Sequence, residues 1–191
     1  CIKHKVKRFI FASSIYVLSN QGGFYKASKQ SAEILIKEYG EVHNLPYTIL
    51  RFGSIYGPRS NIKNGLYKIV YDAITKKKLI YRGTKKAVRS YIHARDAAKA
   101  SADILRNKFK NKIILIQGNR SLQISNLLKK LKKIMNIDKN LIYLNKTQKG
   151  HYDKSPIKYK EIRSQNYRLR KYVDLEEGLK ELIINLKKKN Q

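Results

Sequence analysis

Residues 6–17 read VKRFIFASSIYV, an apolar run that ends beside two serines. The β-branched and aromatic side chains of 6–12 predict a buried strand, with the serines at its carboxyl end. Open parallel α/β sheets bind ligands at that end of their strands. The run is too short to cross a membrane, so we interpret it as a strand and not as a signal or anchor segment.

Strand patterns alternate with longer helical patterns along the rest of the chain. Further strands are predicted at 46–52, 78–82, 112–118 and 140–144, with a loop over 53–58 and an irregular stretch over 145–171. Helices are predicted at about 24–40 (with Gly40 as its stop), 65–76, 94–107, 121–136 and from about 174. This alternation is typical of a parallel α/β arrangement.

Tyr25 and Lys29 stand four positions apart at the opening of the first predicted helix, so they share one face. A phenol ionises only near pH ~10 in water, and an ammonium a few ångströms away favours the phenolate. A hydroxyl that contacts both the phenol and a substrate alcohol would complete an acid/base site, and Ser13 or Ser14 supplies one. The alternative is a core aromatic beside a solvated helix cation.

Four segments, in order, resemble a known family. They read FASSIYV (11–17), YKASKQSAE (25–33), LRFGSIYGPR (50–59) and RSYIHARDAAKA (89–100). With them the chain resembles the NAD-dependent epimerase/dehydratase family of extended short-chain dehydrogenases/reductases, to about residue 183. A lone tyrosine-x-x-x-lysine pair arises by chance in a lysine-rich chain, whereas this ordered set is specific.

The resemblance implies an α/β fold: the carboxyl-terminal part of a doubly wound, Rossmann-like parallel sheet plus a small α/β substrate-binding region. It implies one partial domain over 1–191, with the catalytic half of the core in 1–78 and mostly substrate-binding elements in 79–191. No G-x-G-x-x-G spacing occurs among the ten glycines. The turn that holds dinucleotide phosphates in such folds is therefore expected to be missing from this chain.

The resemblance also implies roles for the catalytic residues. Tyr25 is expected to be the acid/base, and Lys29 to favour its phenolate and hold the nicotinamide ribose. Ser14 matches the family's hydroxyl position, with Ser13 the alternative by one place and a candidate for cofactor contact.

Two further segments match substrate and cofactor positions of the family. Phe52 and Gly53 are expected to pack on the nicotinamide, and Ser54 to begin the substrate pocket, although the family often has asparagine there. Arg89 matches an arginine that grips the substrate pyrophosphate, a task suited to a forked cation; the alternative is an ordinary surface arginine.

Three more residues of RSYIHARDAAKA are expected to be structural. Tyr91 and His93 fall in this group, and Asp96 is expected in the turn that opens the next helix. The other histidines are dispersed without metal-ligand spacing, so no metal site is expected.

The implied activity is an NAD- or NADP-dependent oxidoreductase step on a nucleotide sugar. Tyr25 would take the hydroxyl proton, partly through Ser14, while hydride leaves for the nicotinamide; epimerisation, dehydration and reduction all stay open. Because the glycine-rich part is missing, a truncated or split enzyme with a complementing amino-terminal chain is expected. Relatives commonly dimerise through the helix that carries the tyrosine-lysine pair, so a homodimer is also expected.

The charge balance supports a second hypothesis. The chain has 43 Lys plus Arg against 13 Asp plus Glu, a formal +30. Such a field attracts nucleic acid and other polyanions, so the alternative is a catalytically inactive remnant that binds them. Scattered lysines favour the plainer explanation of AT-rich codons. The single cysteine, Cys1, excludes an internal disulfide and fits a reducing cytoplasm.

Overall fold

The fold is a parallel sheet flanked by helices and joined to a smaller helical region. A computed structural model describes residues 1–137, 142–144 and 164–189. The strands are β1 (Phe9–Ser14), β2 (Tyr47–Phe52), β3 (Ser54–Tyr56), β4 (Ile80–Arg82), β5 (Val88–Arg89), β6 (Tyr91–His93), β7 (Lys112–Ile116), β8 (Leu122–Gln123), β9 (Ile142–Leu144) and β10 (Ser164–Tyr167). The helices are α1 (Gly23–His43), α2 (Gly65–Lys76), α3 (Ala94–Asp103), α4 (Ile124–Met135) and α5 (Leu175–Lys189), with 3-10 turns at Ile15–Leu18 and Asn107–Phe109.

The main sheet has four parallel strands in the order β1-β2-β7-β10. Its register aligns Ser14 with Phe52, Phe52 with Ile116, and Ile116 with Tyr167. These residues therefore share the carboxyl edge of the sheet. The predicted parallel α/β class is confirmed, and Ser13 and Ser14 lie at the carboxyl end of β1.

Alternation along the strands places one helix on each face of the sheet. Ile49 and Ile113 pack with Ile36 of α1, whereas Leu50 and Ile114 pack with α3. Successive side chains of a strand point to opposite faces, so both faces of β2 are apolar and covered. Its near-continuous hydrophobic run follows from this two-sided burial.

The smaller region packs α2, α4 and α5 around one apolar core. Fully buried leucines of these helices include Leu66, Leu128 and Leu182. Two strand pairs complete it: β4 with β9 in parallel and β5 with β8 antiparallel. Position 78 therefore does not divide these two regions along the chain. The helix α2, before position 78, lies in the smaller region, and the strand β7, after it, lies in the main sheet.

Several predicted boundaries are confirmed and several are wrong. The helix over 65–76 is confirmed, and β2 matches the strand predicted at 46–52. Gly40 does not stop α1, which ends at His43. The next residue, Asn44, is the C-cap and adopts the left-handed region at φ 51°. Gly40 lies within α1 because a Cβ would approach the Tyr47 ring to 2.7 Å.

Two predicted irregular segments contain strands. Ser54–Tyr56, within the predicted loop, pairs with β6 in parallel. Ser164–Tyr167, within the stretch predicted as irregular, pairs with β7 and extends the main sheet. The rest of that stretch up to 163, with His151 and the first two residues of the strand predicted at 140–144, lies outside the described residues.

Among the helices that the structure describes, none combines the length and apolar character needed to cross a bilayer.

Candidate active site

A cleft of about 460 Å³ opens where the carboxyl end of β1 meets α2 and the β4–β6 segment. Five residues predicted from the sequence line it: Ser14, Tyr25, Gly53, Ser54 and Arg89. The other three predicted residues, Ser13, Lys29 and Phe52, lie behind its wall. A second cleft of about 420 Å³, on the far side of Tyr91, holds none of the predicted catalytic residues.

Tyr25 lies in the first turn of α1, at the mouth of the cleft. Gly22 and Gly23, at φ 124° and 51°, turn the chain into the helix, and a Cβ on Gly22 would approach that of Lys26 to 2.7 Å. Only glycine adopts this entry without strain. Tyr25 is 52% exposed, and its ring meets that of Tyr16 edge-on at a centroid distance of 5.9 Å.

Lys29 lies one helical turn below Tyr25, between α1 and β1. Its Nζ donates a hydrogen bond to the Ala12 carbonyl at 2.8 Å and sits 4.8 Å from the centroid of the Phe11 ring. The same atom is 6.0 Å from the centroid of the Tyr25 ring. An ammonium has three donors, so its bond to Ala12 leaves donor capacity beside Tyr25.

The structure separates the two candidate serines onto opposite faces of β1. Ser14 lines the cleft, and its Oγ accepts a hydrogen bond from the Tyr16 amide at 3.3 Å, which leaves its hydroxyl proton free to donate. Ser13 shares the face of Phe9 and Phe11 under α1. Its buried Oγ donates to Glu33 Oε1 at 2.6 Å, away from the cleft.

Glu33 and Arg51 were not predicted as site residues, yet they form a buried ion pair directly behind the serines. Arg51 Nε donates to Glu33 Oε1 at 3.0 Å, and its Nη2 donates to Oε2 at 2.6 Å. Both side chains are 4% exposed. The available signal was an arginine inside the apolar strand 46–52 and an acid one turn beyond Lys29 on α1.

The chain from β2 into β3 bends around the floor of the cleft. The Gly53 amide donates to the Ile116 carbonyl at 2.8 Å, and the Ser54 amide donates to the Ser90 carbonyl at 3.0 Å. A Cβ on Gly53 would meet that Ser90 oxygen at 3.0 Å, so the close approach favours glycine. Phe52 is partly buried on the α3 side of the sheet and is not among the residues that line the cleft.

Positive charge predominates in the cleft. Arg89 is nearly buried in β5, where its Nη1 donates to the Val88 carbonyl at 3.0 Å. Further cations line the same space: Lys63, Lys68 and Arg82. Among the described residues that line it, Asp72 is the one carboxylate, so the cleft suits an anionic ligand.

Asp72 is held ionised by lysines on its own helix. Lys68 Nζ lies 3.0 Å and Lys76 Nζ 3.1 Å from Asp72 Oδ1. Burial alone would raise the pKa of Asp72, but the hydrogen bonds from the two lysines outweigh it and hold the pKa below its ordinary value. This carboxylate therefore stays charged at neutral pH.

Of the three residues expected to be structural, Tyr91 lies in β6 and lines the cleft, whereas His93 and Asp96 lie at the start of α3. The buried His93 Nδ1 accepts a hydrogen bond from the Arg95 amide at 3.2 Å and so caps the helix. Burial is the main cause that lowers the pKa of His93. Asp96 lies in the first turn of α3, and its Oδ2 accepts from the Val173 amide at 2.9 Å. Both residues thus fix backbone, and neither lines the cleft.

The sheet and the cleft at its carboxyl edge together define a Rossmann-like protein of the extended short-chain dehydrogenase/reductase class. Comparison with known proteins gives the family. The model of the NAD-dependent epimerase/dehydratase family matches residues 1–116, and the chain belongs to that family.

Relatives and solved structures agree with this assignment. A putative UDP-glucose 4-epimerase of Methanocaldococcus jannaschii is 25% identical over 99% of this chain and 66% of its own length. A dTDP-D-glucose 4,6-dehydratase of Dictyostelium discoideum is 31% identical over 72% of this chain and 36% of its own. The UDP-glucose 4-epimerase of Thermotoga maritima, solved with UDP-glucose, superposes with a TM-score of 0.82 at 25% identity and covers all of this chain.

The chain is shorter than the relatives it matches. It spans 66% of the Thermotoga enzyme and 65% of the UDP-glucuronic acid 4-epimerase of Bacillus cereus, solved with NAD, whose TM-score is 0.80 at 20% identity. The shared fold therefore extends over the region that carries the cleft.

Proposed function

We propose that this chain carries the acid-base and sugar-binding part of an NAD- or NADP-dependent nucleotide-sugar epimerase or dehydratase. The observation that carries the proposal is the cleft itself. Tyr25, Ser14 and Arg89 all line it, and Lys29 lies one turn below Tyr25 on the same helix face. Three residues that match the family's motif positions thus line one cleft, with a fourth close behind Tyr25.

The chemistry begins with proton transfer from a sugar hydroxyl. Tyr25 accepts this proton, and Ser14 relays it by donating to the phenol oxygen while it accepts from the sugar. Lys29 keeps positive charge beside the phenolate that this step needs. The half-exposed position of Tyr25 at the cleft mouth leaves room for substrate on one side.

The donor set fits the nicotinamide half of the cofactor. Lys29 retains free ammonium donors for ribose hydroxyls, and the Gly53 backbone supplies the narrow floor against which a flat ring packs. When bound, nicotinamide supplies the hydride acceptor and donor. Phe52 contributes to this site only by supporting Gly53 from the core, and Ser13 by anchoring α1.

The cationic lining favours a nucleoside-diphosphate sugar as substrate. Arg89 offers a planar fork for the diphosphate, and Lys68 adds charge at its side. Ser54, at the floor, is placed to contact the sugar. UDP-glucose and UDP-glucuronic acid, which are bound in solved structures of the same fold, are the first substrates to test.

Partners of two kinds follow from the same proposal. A glycine-rich amino-terminal part, in the same or a separate chain, completes the cofactor site. The outer face of α1 exposes apolar side chains, among them Phe24, Leu35 and Val42, which suits a homodimer packed through this helix. We place such an enzyme in the cytoplasm, where its nucleotide substrates and reduced Cys1 are both expected.

The test is ligand binding followed by turnover. Calorimetry measures NAD binding to the purified chain, alone and with the amino-terminal part of a relative, and chromatography follows conversion of UDP-glucose. Binding and conversion that require the added part support the proposal. A folded chain that binds neither NAD nor UDP-glucose, whether alone or with the added amino-terminal part, contradicts the proposal.

The formal +30 favours the second candidate, a polyanion-binding remnant. If it holds, duplex DNA binds the chain without sequence preference, and the affinity falls steeply as salt is added. Titration with duplex DNA at several salt concentrations tests the second candidate. The turnover assay separates the two candidates, because an inactive remnant converts no nucleotide sugar.

A further inference from the structure

Ser13, Glu33 and Arg51 form a buried polar cluster, here called the anchor cluster, behind the wall of the cleft. Glu33 accepts from both of its partners, through Oε1 from Ser13 and through both oxygens from Arg51. Each residue belongs to a different element: β1, α1 and β2 in that order. The cluster therefore ties the helix that carries Tyr25 to the strand that carries Ser14.

Net stability does not explain why charge is used at this position. Two charges lose their hydration when they are buried, and apolar side chains of similar volume hold elements together equally well or better. A forked arginine-carboxylate pair has a different property, because its two parallel hydrogen bonds fix distance and angle together. The pair at 4% exposure is therefore suited to set geometry.

The geometry that it sets is that of the catalytic groups. Tyr25, Lys29 and Glu33 succeed one another at four-residue intervals on one face of α1. Lys29 is bonded to the Ala12 carbonyl and Glu33 to Ser13, the two residues that precede Ser14. These two links fix how far α1 slides along β1, and hence the separation of Tyr25 from Ser14.

We infer that Glu33 and Arg51 are positioning residues for the reaction, which act by holding Tyr25 and Ser14 in one alignment. This inference rests on the proposed function for its kinetic consequence. Misplacement of a catalytic group by about 1 Å can cost on the order of 100-fold in rate. Loss of the cluster should therefore lower turnover even in a protein that is fully folded.

The decisive variant replaces the whole cluster by apolar side chains, as S13A/E33L/R51M. The three groups that bond one another are removed together, so none of them is left buried without its partner, and the melting temperature should stay near that of the parent chain or exceed it. In UDP-glucose turnover with NAD and the amino-terminal part of a relative, kcat should fall roughly 10- to 100-fold while KM changes less than threefold. A triple variant that is as stable as the parent chain and also keeps the parental kcat overturns the inference.

A milder variant covers the case in which the triple replacement does not fold. Glu33→Gln keeps the shape but loses the charge, and Leu131→Ala, a cavity variant in the remote core of α4, is its control for stability. Each is assayed at the same interval below its own melting temperature. Turnover should fall at least tenfold in Glu33→Gln and stay within threefold in Leu131→Ala; equal losses would mean that the cluster acts only through stability.

Cross-linking measures how close positions 14 and 25 lie to each other, and it needs no assay of enzymatic activity. Cys1 is the sole cysteine, so a C1S/S14C/Y25C background carries one defined thiol pair, which dibromobimane bridges with a gain of fluorescence. Addition of E33Q should slow bridging severalfold, whereas addition of L131A should not; unchanged bridging in E33Q overturns the inference. If the parent chain converts no nucleotide sugar, the proposed function fails and this measurement still decides on the anchor cluster.

Discussion

Carboxylates in two regions of the molecule, the enclosed side under α1 and the open side at the cleft, are held in contrasting ways. Under α1, Glu33 is enclosed with a forked arginine, and both are 4% exposed. In the cleft, Asp72 is bracketed by two lysines whose side chains are 36% and 56% exposed. Both carboxylates are nearly buried, at 4% and 6% exposure, but the cation beside Glu33 is enclosed and the cations beside Asp72 reach solvent. The same division separates the two serines of β1, since Ser13 bonds Glu33 and Ser14 lines the cleft.

Replacement of Tyr25 gives the largest expected effect, and it should change turnover at the cleft without changing the enclosed side under α1. Tyr25→Phe keeps the ring that packs on Tyr16 but removes the phenol oxygen that we propose as the acid/base, so turnover should fall by about 10²- to 10⁴-fold. The melting temperature and NAD binding should stay at parental values. Tyr39→Phe, an exposed tyrosine of the same helix, is the matched control, and an equal loss there would contradict the assignment.

Arg51→Met removes the cation of the enclosed ion pair. It leaves the Glu33 carboxylate buried without that partner, and such single removals cost about 3–5 kcal/mol of the free energy of unfolding. Urea titration measures the change. The control is Arg95→Met, which removes an ion pair with Glu181 at 2.7 Å whose partners are 52% and 37% exposed, and which should cost less than about 1 kcal/mol. Similar costs for both would contradict the contrast.

The adjacent serines sharpen the comparison within one strand. Ser13→Ala removes a buried donor from Glu33 and should cost about 1–3 kcal/mol of stability, while ligand binding to the cleft is unchanged. Ser14→Ala removes the relay hydroxyl and should lower turnover about tenfold or more, with a smaller loss of stability. Parallel urea and turnover measurements test both, and the reverse pattern would exchange the roles of the two serines.

The smallest expected effect concerns acid stability. The lowered pKa of Asp72 means that its ionisation contributes stability above the ordinary value of 3.8, and that this is lost as pH falls through the lower folded-state pKa. Unfolding free energy should therefore decline less steeply below about pH 4 in Asp72→Asn than in the parent. Urea titrations from pH 5 to 2.5 check this, with exposed Glu38→Gln as control; identical slopes in Asp72→Asn and the parent would refute it.

Local sequence was sufficient where one element decides the geometry. The four-residue spacing of Tyr25 and Lys29 predicted their common helix face, and 65–76 was bounded correctly because Asn64 caps it and Lys77 ends it in the left-handed region. The apolar run of 46–52 likewise predicted a strand, which is β2 in the structure. In each case the deciding interactions lie within a few residues.

Features that depend on partners distant in sequence were missed. The short strand Ser164–Tyr167 has no apolar run and exists because it pairs with β7. The partner of Arg51 could not be recognised, although a lone cation in a buried strand signals that one exists. Which serine faces the cleft follows from alternation only once Phe9 and Phe11 are known to lie under α1.

The position of β10 at the far edge of the sheet bears on how the molecule is made. Its partner β7 lies far upstream, whereas β1 and β2 join through the single helix α1. Contacts between segments close in sequence form sooner than those that must close a long loop. We expect the catalytic strand-helix unit to gain protection before β10 does in pulsed hydrogen exchange. On the ribosome, the proposed acid-base groups would then be assembled while β10 is still being synthesised.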